Sequence, residues 1–176
     1  MLEDNGVLVI EQVIRRMRTA FVDNEPYGGR LPRIEHRGGL LVPIDAGLDS
    51  DGDCNAQGWV NLLRRWRTTQ FPAEDAGVTP CGGVPAILVQ AGVARCSQAM
   101  TDEGEPPPPE VMEREALALM DDAVRLERVM CGATASADKA GLIHSAVVHA
   151  WEPIGPDGGI LSGVITASFQ LTDYTD

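Results

Sequence analysis

The sequence predicts an α+β fold, in which a mainly antiparallel sheet of about four strands carries two or three packed helices. Two apolar periodicities occur in one chain: steps of three or four residues, typical of helices, and strict alternation, typical of strands. The length of 176 residues fits a single domain covering residues 1–176.

Three segments have the apolar spacing of a helix. The first, Val7 to Phe21, places its apolar residues on one face, and Asp4 or Asn5 can cap its start. The second is predicted from Asn55 to Thr68, where two tryptophans and two leucines recur at helical steps. The third, Glu110 to Met130, follows four consecutive prolines and has the longest apolar stripe.

Four segments have the character of strands: Leu40–Ile44, Val84–Cys96, Leu142–Trp151 and Ile160–Leu171. The last alternates apolar and polar residues, as expected of a strand with one dry face. Its partner in a hairpin is the strand before it, and the turn-forming residues Glu152 to Gly159 are expected to connect the two. Asn24 to Gly39 is dense in glycine and proline and is expected to be a loop.

Charge composition limits the functions available to the chain. It has 26 acidic and 14 basic residues, a net charge of -12, and a surface this acidic repels phosphate rather than gripping nucleic acid. An acidic surface is still compatible with a channel through which DNA slides, because such a channel wall does not bind the DNA. No segment has the roughly 18 consecutive apolar residues of a membrane span. The first residues lack the basic region of a signal peptide, so the chain is expected to mature in a cytoplasm.

Cysteine spacing gives no sign of a metal site. Cys54, Cys81, Cys96 and Cys131 contain no C-x-x-C pair, and the thiols are expected to stay unpaired and metal-free in a reducing compartment.

The sequence also lacks the usual signatures of catalysis. It has no G-x-S-x-G, P-loop or H-E-x-x-H motif. His144 and His149 lie five apart on a predicted strand, which places them on opposite faces. We therefore expect no catalytic, cofactor-binding or metal-binding residues, no cofactor, and no enzyme activity. A Cys–His dyad formed by the fold stays open at this point.

Two groups of arginines are the candidate subunit interface. A cluster of arginines in so acidic a chain pairs more often with acids of a neighbour than with nucleic acid, and interfaces between like-charged subunits need locally complementary charges. We expect them to pair with acids of a neighbouring copy: Arg30, Arg33, Arg37, Arg64, Arg65 and Arg67.

The order of elements resembles a known group of viral proteins. The residues that carry the resemblance are Cys54 to Trp59, the apolar strand Ile87 to Cys96, and the W-x-P-x-G-P-x-G-G motif at Trp151 to Gly159 with the strand after it. Together they resemble the tail terminators of long-tailed phages infecting actinobacteria, over about two thirds of the chain from Cys54 onward.

The resemblance implies a compact α+β subunit of the virion, assembled in the host cytoplasm and placed at the head–tail junction. There the family forms a homo-oligomeric, six-fold ring that ends the tail tube and joins it to the head. The implied partners are the major tail tube protein and the head-to-tail connector proteins. DNA would pass through the lumen without sequence-specific binding, and no membrane is involved.

Three other interpretations remain open. A head-to-tail stopper or another connector ring of the neck is also β-rich. A cytoplasmic binding module would use Pro106–Pro109 as a peptide ligand. A thiol-dependent enzyme would lose its activity on alkylation, whereas a ring protein has none to lose.

Overall fold

The computed structural model describes residues 4–22, 33–38, 56–74, 82–98, 105–157 and 159–172. Within these residues the elements are α1 (Asn5–Ala20), β1 (Arg33–Arg37), β2 (Gln57–Thr68), β3 (Val84–Cys96), α2 (Pro109–Lys139), β4 (Ile143–Asp157) and β5 (Ile160–Leu171). The strands form one sheet in the order β1-β2-β3-β5-β4. The fold is α+β, as predicted, but the sheet has five strands and is mixed, because β1 runs parallel to β2 and the other pairings are antiparallel.

Helix α1 begins where the sequence predicts. The Asp4 carboxylate accepts a hydrogen bond from the Gly6 N–H at 2.8 Å, which satisfies one of the free donors of the first turn. Val9, Val13 and Met17 are fully buried, whereas Val7 is 53% exposed. The predicted face of Val7, Ile10, Ile14, Met17 and Phe21 is therefore rotated, because Val9 and Val13 are buried while Val7 is exposed and Ile14 is half-buried.

Helix α2 extends well past the predicted end at Met130, and reaches Lys139. Its 31 residues give a length of about 46 Å. The helix starts with Pro109 in its first turn, where a missing N–H costs nothing. Its buried side chains are confined to Asp122 and later residues, so the first three turns project beyond the core.

The predicted helix Asn55–Thr68 is wrong: this segment is strand β2. It pairs with β3 from Gln57 to Thr68, with a register shift between Leu62 and Arg64. That shift changes the alternation of side chains halfway along the strand, so the apolar residues imitate helical spacing. Pairing with the central strand outweighs the local helix preference.

Two further predictions need correction. The predicted loop Asn24–Gly39 contains β1, a short polar strand at the sheet edge. The predicted turn Glu152–Gly159 is mostly strand, because β4 continues to Asp157 and pairs with β5 as far as Ile160. The predicted strand Leu40–Ile44 lies outside the described residues.

The core lies between the two helices and one face of the sheet. Residues Ile87, Val89, Ala91 and Val93 alternate along β3 toward the helices and are at most 1% exposed. The opposite face carries a smaller cluster in which Trp59 packs with Ala94 and Val164. The Trp59 ring lies over Gly92, where an added Cβ would come within 2.3 Å of it.

Candidate subunit interface

The described members of the predicted interface arginines lie on β1 and β2, where each has a partner within the chain. Arg33 and Arg37 flank Glu35 on edge strand β1, and Arg33 Nε lies 2.6 Å from the Glu35 carboxylate. Arg37 pairs with the other oxygen of the same carboxylate. One acidic residue therefore serves two arginines, which leaves β1 with a net positive charge.

The β2 arginines are engaged differently. Arg64 pairs with Glu74, Arg65 pairs with Asp4 at the start of α1, and Arg67 donates to the Gly82 carbonyl at 2.9 Å. These contacts support local structure, so β2 offers less free positive charge than its composition indicates. Arg30 lies outside the described residues.

A groove separates α1 from β1 on this same side. It has a volume of about 720 Å³. Its described lining includes Ile14, Arg15, Arg18, Val22 and His36. Neither Arg15 nor Arg18 has an ion-pair partner among the residues that the structure describes. Glu11 also lines the groove, so its described lining combines apolar side chains with two arginines and one carboxylate. Sequence spacing alone did not single out this feature.

The projecting half of α2 presents apolar side chains to solvent. Leu117, Met120 and Val124 are 41%, 59% and 42% exposed, and their spacing of three and four residues places them on one face of the helix. Met112 is 44% exposed one turn earlier. Exposed apolar residues that share a helix face are typical of a surface that a partner covers.

A second groove, of about 660 Å³, lies between this half of α2 and the β4–β5 hairpin. Met112, Ala116 and Leu119 of the helix face Leu161 and Pro156 across it. Glu115 also lines this groove and links α2 to the end of β3. The Glu115 carboxylate accepts hydrogen bonds from the Ser97 hydroxyl at 2.9 Å and the Gln98 N–H at 2.8 Å.

A buried ion pair anchors the base of the projecting half of α2. Arg95 on β3 donates to both oxygens of Asp122 on α2, at 2.6 Å and 2.7 Å, and the Asp122 side chain is only 1% exposed. Burial raises the pKa of Asp122 above its ordinary value, although Arg95 opposes that shift. The sequence did not single out this pair, since its members lie on different elements.

Cys96 is disulfide-bonded, which corrects the prediction that the thiols stay unpaired. The cysteine bonded to Cys96 lies outside the described residues, where Cys54 and Cys81 are found. Sequence spacing missed the bond because a disulfide needs proximity in space, which residues far apart in sequence gain by folding. Cys131 on α2 is a free, exposed thiol.

The histidines and carboxylates of the described residues form no group that could hold a metal ion. His144 and His149 are both exposed on β4. His149 Nε2 lies 3.0 Å from the Ser168 hydroxyl of β5. None of the described helices has the length and apolar character needed to cross a membrane.

Comparison with known proteins identifies no family for this chain. No protein-family model matches the chain, and no curated protein matches it. Among solved structures, it is similar to the sheath/tube terminator of an extracellular contractile injection system named PVC, in the extended state. The identity is 15% and the TM-score 0.28, over 97% of this chain and 58% of that one. The chain therefore spans little more than half of that protein, and a likeness this distant carries no argument about function.

Proposed function

We propose that this chain is a structural, non-enzymatic subunit that assembles with copies of itself into a ring ending a tail tube. In the fuller form of the proposal, the ring is a six-fold tail terminator at the head–tail junction of a phage. It contacts the major tail tube protein on one side and head-to-tail connector proteins on the other, with DNA passing through its lumen.

The exposed apolar face of α2 is the observation that supports assembly most directly. Leu117, Met120 and Val124 lie on one helix face and a single chain leaves them in water. Burying apolar surface contributes roughly 25 cal/mol per Å², so covering this face with a neighbouring protein is favourable. The sequence resemblance to tail terminators supports the choice of a ring over other assemblies.

The arginines remain candidates for the contact between subunits: Arg30, Arg33, Arg37, Arg64, Arg65 and Arg67. Arg33 and Arg37 are the strongest of them, because they lie on a strand at the edge of the sheet. The stopper ring is the closest alternative within the same class, since it also assembles from copies of one chain.

The proposal is tested by measuring the mass of the purified chain with native mass spectrometry and imaging it by electron microscopy. We expect one closed ring species that caps purified tail tubes at one end. Replacing Leu117 and Met120 with Ser is expected to weaken the ring while circular dichroism stays unchanged. A chain that stays monomeric at all concentrations, with or without tubes, would contradict the proposal. A ring that binds connectors but ignores tube ends would favour the stopper.

A further inference from the structure

The two edges of the sheet carry opposite charge. The described residues that form α1, β1 and β2, at 4–22, 33–38 and 56–74, include eight arginines and four acidic residues. The described residues that form α2 and β4, at 105–157, include four basic and ten acidic residues. Charge is therefore separated across the sheet, with the positive side at β1 and the negative side at β4.

The two edge strands, β1 and β4, are too far apart to neutralise each other within one chain, although α1 and α2 pack against each other between them. Four strand spacings separate β1 from β4, a distance of about 19 Å at the usual spacing between strands. At physiological ionic strength, charges are screened over about 8 Å. Each side therefore acts as an independent surface, and each complements the other on a second copy.

Both sides expose charged groups that have no ion-pair partner among the described residues. Arg15 and Arg18 line the α1–β1 groove and outnumber Glu11, the acidic residue in its described lining. Glu152 and Asp157 lie in the last part of β4, on either side of Ile154, which is 48% exposed. Ile14 and Val22 in the groove give an apolar side chain such as Ile154 a surface to cover.

We propose that neighbouring copies meet head to tail, with the Glu152–Asp157 end of β4 in one copy lying in the α1–β1 groove of the next. The carboxylates of Glu152 and Asp157 then face Arg15 and Arg18, and Ile154 packs against Val22. This inference rests on the proposed self-assembly and names the surfaces that carry it. Because the two surfaces are different and lie on opposite edges, the contact is heterologous, and it gives a ring when the rotation between copies closes.

A charge-swap experiment tests the contact in the full chain. One variant carries Arg15→Glu and Arg18→Glu, and the other carries Glu152→Arg and Asp157→Arg. Each reverses one side of every contact and leaves the other side intact. We expect each variant alone to remain folded by circular dichroism and to raise the apparent subunit dissociation constant by at least roughly tenfold.

Mixing the two variants in equal amounts should restore assembly. In the mixture, each reversed side meets a reversed side of opposite charge, and each unchanged side meets an unchanged one. Native mass spectrometry should then show rings in which the two variants alternate. This recovery shows that the α1–β1 groove of one copy meets the β4 end of another. The mass of the recovered species then separates a head-to-tail ring from a two-fold dimer that makes the same contact twice, and a dimer would overturn the head-to-tail contact.

Matched controls separate the site from net charge. Lys139→Glu with His144→Glu and Ser145→Glu changes the net charge as the first variant does, and Asp138→Arg with His144→Lys and Ser145→Lys matches the second. Both controls should assemble like the wild type. Equal loss in a control, or no recovery in the mixture, would overturn this contact while wild-type rings uphold the proposed function. Wild-type chain that never self-associates would overturn the proposed function and this contact together.

Discussion

Arg95 and Asp122 join the central strand of the sheet to α2 at the point where that helix leaves the core. The guanidinium contacts both carboxylate oxygens, and both side chains are largely removed from water, at 12% and 1% exposed. A buried pair of this kind is costly to break, because the group left behind keeps its charge in a poorly solvated site.

We therefore expect Arg95→Leu to lower the free energy of unfolding by about 3–5 kcal/mol, measured by urea denaturation. Replacing Asp122 with Leu as well should recover much of that loss, since no buried charge then remains. Arg64→Leu is the control, because it breaks the exposed pair with Glu74 and should cost less than about 1 kcal/mol. A double variant no more stable than Arg95→Leu alone would contradict this account.

The same carboxyl group predicts how stability depends on pH. Burial raises the pKa of Asp122 in the folded chain, so the folded state holds this proton to a higher pH than the unfolded state does. The stabilisation that comes from this bound proton is fully present below the unfolded pKa of about 3.9. It is lost as the pH rises through the pKa of Asp122 in the folded state.

The check on this prediction is the difference in unfolding free energy between the wild type and Asp122→Asn, measured by denaturation across acidic pH. The wild type should lose stability relative to the variant as the pH rises through this window, and the difference should then level off. A wild type that gains stability over the same window would mean that the ion pair, not burial, dominates the pKa.

The Trp59 ring leaves room only for glycine at position 92, since a Cβ added to Gly92 would lie 2.3 Å from the ring. We expect Gly92→Ala to cost about 1–3 kcal/mol of stability through overpacking. The same change in a Trp59→Leu background should cost less, because the ring is gone. Gly38→Ala is the matched control, since its Cβ meets nothing within 4 Å. Equal costs in the two backgrounds would show that the ring is not the cause.

The thiols should differ in reactivity. Alkylation of the unfolded, unreduced chain should modify Cys131 and leave Cys96 unmodified, because Cys96 is disulfide-bonded. Peptide mass spectrometry before and after reduction distinguishes the two. Reduction should also lower the free energy of unfolding by roughly 2–4 kcal/mol. Modification of Cys96 without a reductant would show that the bond is absent from the isolated chain.

Regular patterns were the predictable part of this fold. The strands Val84–Cys96 and Ile160–Leu171 occur with the predicted bounds, because one is apolar throughout and the other alternates. Both neighbour other strands on each side. They pair with each other without a register shift, and the extra residues of the other pairings lie in β2 and β4.

The failures lie where pairing decides the structure. Trp59 and Trp66 follow helical spacing, yet the register shift after Leu62 produces that spacing in a strand. The short sequence Arg33–Arg37 has no apolar alternation and becomes a strand only because β2 offers an edge for it.

The sequence indicated which type of residue would form the candidate interface, but not which positions would form it. Composition indicated arginines as contacts for an acidic neighbour, and six were named from their clustering. The structure engages the described members of that set within the chain, while Arg15 and Arg18 gain significance from a groove that only folding creates. A pocket between a helix and a strand leaves no trace in local sequence.

The form of β4 has a consequence for chains that have been synthesised but not yet incorporated. A strand of 15 residues at the edge of a sheet is a template on which other chains can grow into fibrils. Pro153 and Pro156 lack the amide hydrogen needed for such growth, and three register shifts interrupt the strand. The β4 edge is therefore a poor template for growth through the backbone, and contacts at this edge depend on side chains.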